Sequence, residues 1–409
     1  MEKHIIRTNY LEKLERFREK NLIKVLTGIR RCGKSVLMEQ FQERLKKGGI
    51  KNEQIISLNF EKLENEELLD YKKLHDYISG RLYKKGWSYV FLDEIQMVNE
   101  FQKTINSLRT KEQIDMYITG SNSSLLSGEL ATLLTGRCIP IHVMPLSFKE
   151  FLSANLSREE YGTKNGLLKD KLKEYMLYGS FPQTLDLKGR KDIYDYLDSV
   201  YSTIIRKDIL ARGKTIQEGI LTGIAKFIFH NIGSETSSVN IANTLKSNKR
   251  EVSYNTVEKY LGLLKDSFVI YEANRYDVKG KQHLKQNAKY YAVDTGMRNM
   301  LLSNKETDIG HILENIVYTE LIRRDYKVCV GKVDNREIDF VAENENGIEY
   351  YQVAATVLDE QTRERELEPL NKIKDHSPKF LITLDDYSGG TTYNGIRLIN
   401  AIEFLSGNY

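Results

Sequence analysis

The stretch Gly28-Ile29-Arg30-Arg31-Cys32-Gly33-Lys34-Ser35 constrains this chain more than any other. It spells G-x-x-x-x-G-K-S. The apolar run Leu22-Ile23-Lys24-Val25-Leu26-Thr27 precedes it, and Val36-Leu37-Met38-Glu39-Gln40-Phe41, spaced as a helix, follows. Strand, glycine loop and helix in that order form the setting of a phosphate-binding P-loop. The glycines let backbone N–H groups of residues 28–36 turn inward around phosphate oxygens, beside the positive end of the following helix. Gly28, Ile29, Arg30, Arg31, Cys32, Gly33 and Val36 therefore line the expected nucleotide site. Lys34 would reach the β- and γ-phosphates, and the Ser35 hydroxyl would sit on Mg²⁺. Arg30 and Arg31 are expected to point outward or to meet a carboxylate, because Lys34 already serves the phosphates.

Two later stretches turn a nucleotide clamp into a hydrolytic site. Tyr89-Val90-Phe91-Leu92-Asp93-Glu94 is an apolar strand ending in paired carboxylates, the Walker B pattern. A buried parallel strand would deliver Asp93 to the sheet edge where nucleotide lies, as a second Mg²⁺ ligand. Glu94 would then act as general base or orient the attacking water. Met116-Tyr117-Ile118-Thr119-Gly120 is another strand, ending in Ser121-Asn122. Either Ser121 or Asn122 could contact the γ-phosphate, the position called sensor 1 in ring-type ATPases. As plain residues they would cap the next helix. Arg137, in Thr135-Gly136-Arg137 just before a fifth strand, stands where an arginine finger would reach a neighbouring subunit's γ-phosphate.

Composition excludes several alternatives. With 409 residues, 40% hydrophobic and 29% charged, the chain has the make-up of a soluble multidomain protein. No apolar run approaches a membrane span and no signal-peptide core follows Met1, so a cytoplasmic location is expected. Three cysteines, Cys32, Cys138 and Cys329, fit neither a disulfide framework nor a zinc site. A net charge of +4 permits nucleic-acid binding without arguing for it.

The second half reads as two further modules. Residues 216–284 have the pattern of a winged helix-turn-helix: helical spacing over 218–230, 239–245 and 253–264, then a β-ribbon with Lys279-Gly280-Lys281 at its turn. Lys249, Arg250, Ser253 and Asn255 would lie nearest DNA, although such modules also serve protein contacts. Residues 285–409 run helix, strand, strand, strand. A helical glutamate (Glu314 or Glu320), then Ile338-Asp339, then Gln352 resemble the order in restriction-endonuclease-like nucleases. That resemblance implies Glu320, Asp339 and Gln352 around a metal, with a lysine two residues beyond Gln352 to activate water. Ala354 stands there instead, and Lys379 on another strand is the nearest substitute. The domain therefore reads as degenerate.

Taken together, Gly-x-Arg-Arg-x-Gly-Lys-Ser, Phe-Leu-Asp-Glu-Ile-Gln, Ile-Thr-Gly-Ser-Asn, Thr-Gly-Arg and Pro-Leu-Ser-Phe-Lys-Glu-Phe resemble one family. It is the bacterial and archaeal AAA+-like ATPases of the STAND branch with a C-terminal DUF4143 domain. Tyr178-Gly179-Ser180-Phe181-Pro182 is similar to that family's Gly-Gly-Phe-Pro element, with serine for the second glycine, and Arg206-Lys207-Asp208-Ile209 to the element after it. The resemblance implies ATP as the nucleotide, Mg²⁺, and a helical lid over residues 151–215. The expected architecture is thus α/β throughout: a P-loop NTPase parallel sheet (1–150), the lid (151–215), the winged helix (216–284) and the nuclease-like domain (285–409). The expected activity is ATP hydrolysis driving a conformational change in an oligomer, with DNA as a partner of the winged helix. An ATP-gated nuclease and a slow ATP-binding scaffold are the alternatives.

Overall fold

The computed structural model describes residues 5–126, 136–156, 165–213, 216–247, 252–303, 308–387 and 391–407. They form two compact units, residues 1–145 with Asp266–Phe268, and residues 146–265 with 269–409.

In the first unit, strands β1 (Ile23–Thr27), β2 (Ile55–Asn59), β3 (Ser88–Asp93), β4 (Ile114–Gly120) and β5 (Cys138–His142) make one sheet in the order β2-β3-β4-β1-β5. Every pairing is parallel. Helices α1 (Thr8–Arg16), α2 (Lys34–Lys47), α3 (Tyr71–Ser79) and α4 (Phe101–Arg109) supply the crossovers and flank. Every residue of β1, β3 and β4 is buried, as parallel strands covered on both faces require. Val25, Val90, Leu92 and Ile118 pack there with Leu74 and Ile78 of α3 and Ile105 and Leu108 of α4.

One polar pair interrupts that core. Lys24 of β1 and Asp115 of β4, both fully buried, form an ion pair, and Asp115 also accepts from the Tyr117 hydroxyl (2.8 Å) and the Glu19 N–H (2.8 Å). Burial lowers the Lys24 pKa and raises that of Asp115; the partners' attraction only partly offsets each shift. The pair ties β1 to β4 near the start of both strands, at the end of the sheet opposite the P-loop.

The second unit is built on a nine-stranded mixed sheet, ordered β13-β14-β12-β11-β10-β9-β7-β8-β6. Its strands are β6 (Glu235–Thr236), β7 (Ile270–Asp277), β8 (Gln282–Ala292), β9 (Lys327–Val333), β10 (Arg336–Asn344), β11 (Gly347–Val353), β12 (Lys379–Thr383), β13 (Thr392–Tyr393) and β14 (Ile396–Asn400). Its helices are α5 (Phe148–Asn155), α6 (Asn165–Tyr178), α7 (Arg190–Thr203), α8 (Glu218–His230), α9 (Ser238–Ser247), α10 (Tyr254–Asp266), α11 (Thr295–Leu301), α12 (Ile309–Arg323), α13 (Glu360–Asn371) and α14 (Ala401–Ser406).

This unit departs from the division at 215 and 284 expected from sequence. The β7–β8 hairpin, read as the wing of a separate domain, joins the common sheet through parallel pairing of Arg275, Tyr276 and Asp277 with β9. The 151–215 helices share a core with the sheet as well: Phe148, Phe151, Leu172 and Tyr175 pack with Ile316, Val317 and Leu321 of α12 and with Phe340 and Tyr351. The same core takes in Ala273 of β7, and all three stretches fall within one compact unit.

Two of the family-like motifs have structural explanations here. Pro-Leu-Ser-Phe-Lys-Glu-Phe is a capping box: Glu150 N–H donates to the Ser147 hydroxyl (3.1 Å), and Ser147 N–H donates to the Glu150 carboxylate (2.8 Å). Tyr178-Gly179-Ser180 wraps the buried Asp294, whose carboxylate accepts from Ser180 N–H (2.6 Å) and Met297 N–H (2.8 Å). Gly179 has φ +75°, and a Cβ there would lie 2.2 Å from Asp294 Oδ1, so only glycine fits. Burial pushes the Asp294 carboxyl up to about 6. Arg206-Lys207-Asp208-Ile209 lies in a π-helical turn, Ile204–Ile209.

Asp115→Ala strands the Lys24 ammonium in the core and should cost about 3–5 kcal/mol, whereas Lys24→Met/Asp115→Leu should recover most of it. Urea unfolding monitored by circular dichroism checks both, and a single variant as stable as the parent would contradict the assignment.

Candidate nucleotide site

The P-loop leaves β1 at Thr27 and enters α2 through Gly33, which is left-handed at φ 98°. No side chain caps α2, so its first-turn N–H groups are available to an anion. Lys34 is buried and curls back on its own loop, donating to the carbonyls of Gly28 (2.9 Å) and Ile29 (3.2 Å). Phosphate oxygens are the natural replacements for those carbonyls.

The flanking arginines divide as expected: Arg30 pairs with Glu61 at 2.9 Å, and Arg31 is exposed with φ 69°. Cys32 donates its thiol to the Val143 carbonyl (3.2 Å). The residue that braces the loop was not legible in sequence. Arg7, only 3% exposed, donates to the carbonyls of Cys32 (3.1 Å), Met144 (2.9 Å) and Pro145 (3.4 Å). It ties the P-loop to the segment leaving β5.

Asp93 and Glu94 end β3, and a side chain from the neighbouring strand orders both. The Thr119 hydroxyl of β4 donates to Asp93 Oδ1 (2.5 Å) and accepts from Glu94 N–H (2.9 Å). Asn59, at the end of β2, donates its amide to Asp93 Oδ2 (2.8 Å). Glu94 adopts a left-handed backbone, φ 55°, which turns the chain off the strand just past Asp93. Its carboxylate accepts from the Gln96 amide, whose own Oε1 is buried without a partner. Burial pushes the Glu94 carboxyl above its usual value; the charge of Lys34, then the Gln96 hydrogen bond, pull it part of the way back. Thr119 and Asn59 carried only a weak sequence signal, a polar residue at the C-terminal end of a parallel strand.

Ser121 is buried and Asn122 half-buried, both just beyond the end of β4, and both remain sensor candidates. Arg137 is exposed and precedes β5, where Cys138 pairs with Ile23 at the start of β1. The P-loop leaves the other end of β1, about 16 Å away at ~3.3 Å per residue. Arg137 thus stands at the opposite sheet edge from its own P-loop. Among the described residues no group of three or more His, Cys, Asp or Glu side chains is placed to hold a metal. The Ser35 hydroxyl and Asp93 carboxylate are hard oxygen donors of the kind Mg²⁺ takes with phosphates and water, so this donor set suits that ion.

The other expected sites fare differently. Lys249 and Arg250 lie outside the described residues. Ser253 and Asn255 are exposed at the start of α10, where the Ser253 hydroxyl accepts from Thr256 N–H (3.2 Å) and so is committed to capping. Lys279 pairs with Asp334. Of the nuclease-like set, Glu320 is taken up by Arg323 (2.8 Å) and Arg324 (2.9 Å). Gln352 does sit at Asp339, its Oε1 accepting Asp339 N–H (3.3 Å), while its amide donates to Glu366 (3.0 Å). Lys379 donates to the Ile373 carbonyl (2.6 Å) and does not serve the site.

Comparison with known proteins places this geometry. Residues 20–152 match the family described as AAA domain. The chain is 40% identical over 404 residues to an uncharacterized protein of Haemophilus influenzae, spanning 98% of both. It belongs to that protein's family, and residues 20–152 are its AAA domain. A second member, an uncharacterized protein of Methanocaldococcus jannaschii, is 34% identical over 371 residues, covering 87% of this chain and 79% of that one. In fold, the AAA-domain protein is similar to the Walker-type ATPase PABY2304 of Pyrococcus abyssi, with TM-score 0.52 and 17% identity over 74% of this chain and 97% of that one. Residues 169–308 match a domain of unknown function, DUF8612, where the sequence resemblance had led to DUF4143. No helix among the described residues is long and apolar enough to cross a membrane.

Should Glu94 serve as the general base, which must be ionised, its raised pKa would place the acid limb of the ATPase pH–rate profile above the ordinary glutamate value, ~4.3. Gln96→Ala removes a hydrogen bond that lowers it, and should move that limb to higher pH. A kcat–pH series on both proteins checks the sign; an unmoved or acid-shifted limb would contradict it.

Proposed function

We propose that the first unit hydrolyses ATP, and that its site is completed by a neighbouring subunit. The observation that carries the hydrolytic reading is the Thr119 hydroxyl held between Asp93 and the Glu94 N–H. A protein that only clamps nucleotide needs the P-loop; it has no need of two carboxylates locked in register at the sheet edge. In this reading the α2 N-terminus and Lys34 bind the β- and γ-phosphates, Lys34 leaving the carbonyls of Gly28 and Ile29 for phosphate oxygens. Ser35 and Asp93 hold Mg²⁺, which supplies charge neutralisation at the phosphates. Glu94 takes the proton of the attacking water, and Ser121 or Asn122 contacts the γ-phosphate or that water.

Arg137 enters from its position at the far edge of the sheet, where it can serve only another subunit's nucleotide. The finger supplied in this way stabilises charge on the transferring phosphoryl group. Nucleotide state would then be read at a subunit interface and passed on as a conformational change.

Lys34→Ala should lose nucleotide binding, and Glu94→Gln should bind ATP while releasing phosphate at least about 10²-fold more slowly. Arg137→Ala should be inactive alone. Mixed with Lys34→Ala it should regain part of its activity, because an intact P-loop then meets an intact finger. Phosphate-release assays across protein concentrations decide the matter: specific activity independent of concentration, with Arg137→Ala fully active, would overturn the shared site.

A further inference from the structure

The second unit contains a buried charge cluster that the ATPase does not use. Lys289 of β8 has 4% of its side chain exposed, and three carboxylates converge on its Nζ: Glu337 at 2.6 Å, Glu314 at 3.0 Å and Asp339 at 3.9 Å. They come from α12 and β10. The other lone pairs of the cluster are largely engaged. The Tyr291 hydroxyl donates to Glu314 Oε1 (2.7 Å), and Val353 N–H donates to Asp339 Oδ2 (2.8 Å). His311 Nδ1 lies 3.6 Å from Glu314 Oε2. The backbone at Gly233 closes over this side, where even a Cβ would come within 2.8 Å of Glu314 Oε2.

A nuclease-like domain is expected to place a metal ion beside Asp339, and the donor set here does not fit one. A divalent ion needs several oxygens at about 2.0–2.6 Å around a common point. The point on which these carboxylates converge is occupied by an ammonium. Burial alone would lower the Lys289 pKa, but the carboxylates outweigh it and hold the group above its ordinary value. The cation is covalently tethered to β8 and sits among all three carboxylates. The lysine missing at Ala354 has a counterpart in space, supplied by a strand that precedes the whole helix–strand–strand–strand series.

We infer that Lys289 is a built-in counter-cation, its ammonium taking the place of a divalent metal among Glu314, Glu337 and Asp339, and that deleting it opens a divalent-cation site. Such a cluster cross-links β8, β10 and α12 without any dependence on metal supply. The inference stands apart from the ATPase reading.

Titration of the nucleotide-free full-length chain with Mn²⁺, followed by the electron paramagnetic resonance signal of free Mn²⁺, provides the test. Wild type and Asp339→Asn should bind the same number of ions, and so should Glu337→Gln, a milder change at a side chain that is one-third exposed. Lys289→Ala should gain one equivalent of Mn²⁺, lost again in Lys289→Ala/Asp339→Asn. Tb³⁺ should report the same gain through emission sensitised by Tyr291. A Mn²⁺ equivalent present in wild type and lost in Asp339→Asn or Glu337→Gln would overturn the inference. So would a folded Lys289→Ala protein that gains none. Should Lys289→Ala fail to fold, the wild-type and carboxylate-variant titrations decide alone.

Discussion

The candidate site depends on one hydroxyl. Thr119 donates a hydrogen bond to Asp93 Oδ1 and accepts one from the Glu94 N–H, so a single side chain on β4 holds both the Asp93 carboxylate and the Glu94 backbone at the end of β3. The arrangement is possible because β3 and β4 are adjacent parallel strands, with Leu92 opposite Ile118 and the two C-terminal ends level. The strand order makes the same edge converge on the P-loop: β4 also pairs with β1, which ends at Thr27. Asn59 from β2 and Arg7 ahead of the first helix complete the frame, one on Asp93 and the other on the Cys32 carbonyl of the loop. Burial makes the two Thr119 hydrogen bonds strong, since no water competes with them.

Much of this was legible in the chain itself. G-x-x-x-x-G-K-S between an apolar run and a helical pattern located Lys34 and Ser35, and the apolar strand before Asp93-Glu94 located the carboxylates, because each signal is local and its spacing has one physical use. What could not be read was whatever depends on pairing across strands. Thr119 looked like one more residue of an apolar strand, and Asn59 like a strand end. Arg7 is a lone arginine far in sequence from Met144 and Pro145, whose carbonyls it binds. The Lys24–Asp115 pair is hidden for the same reason, as two charges in buried strands joined only by the sheet order.

The second unit shows the same limit more strongly. Helical and strand spacing located the helices around 218–264 and the strands around 326–354 close to where they fold. The hairpin's place in the sheet was not legible, because β7–β8 looks like a free wing until its parallel pairing with β9 is seen. The nuclease-like reading placed Glu320 at the site, although Glu314 is the helical glutamate that faces Asp339 through Lys289. Six residues of helix separate the two glutamates and turn them to different directions. The lysine sought beyond Gln352 comes instead from β8, a position no linear motif would reveal.

The central claim is that Thr119 organises the hydrolytic carboxylates, and Thr119→Val tests it most directly because valine preserves the shape and removes only the hydroxyl. Fluorescent-ATP binding and phosphate release should be measured together on wild type, Thr119→Val and Thr119→Ser. The account predicts nucleotide affinity close to wild type in all three, phosphate release reduced about 10²-fold in the valine variant, and recovery with serine. A folded Thr119→Val protein that binds and hydrolyses ATP at the wild-type rate would contradict it.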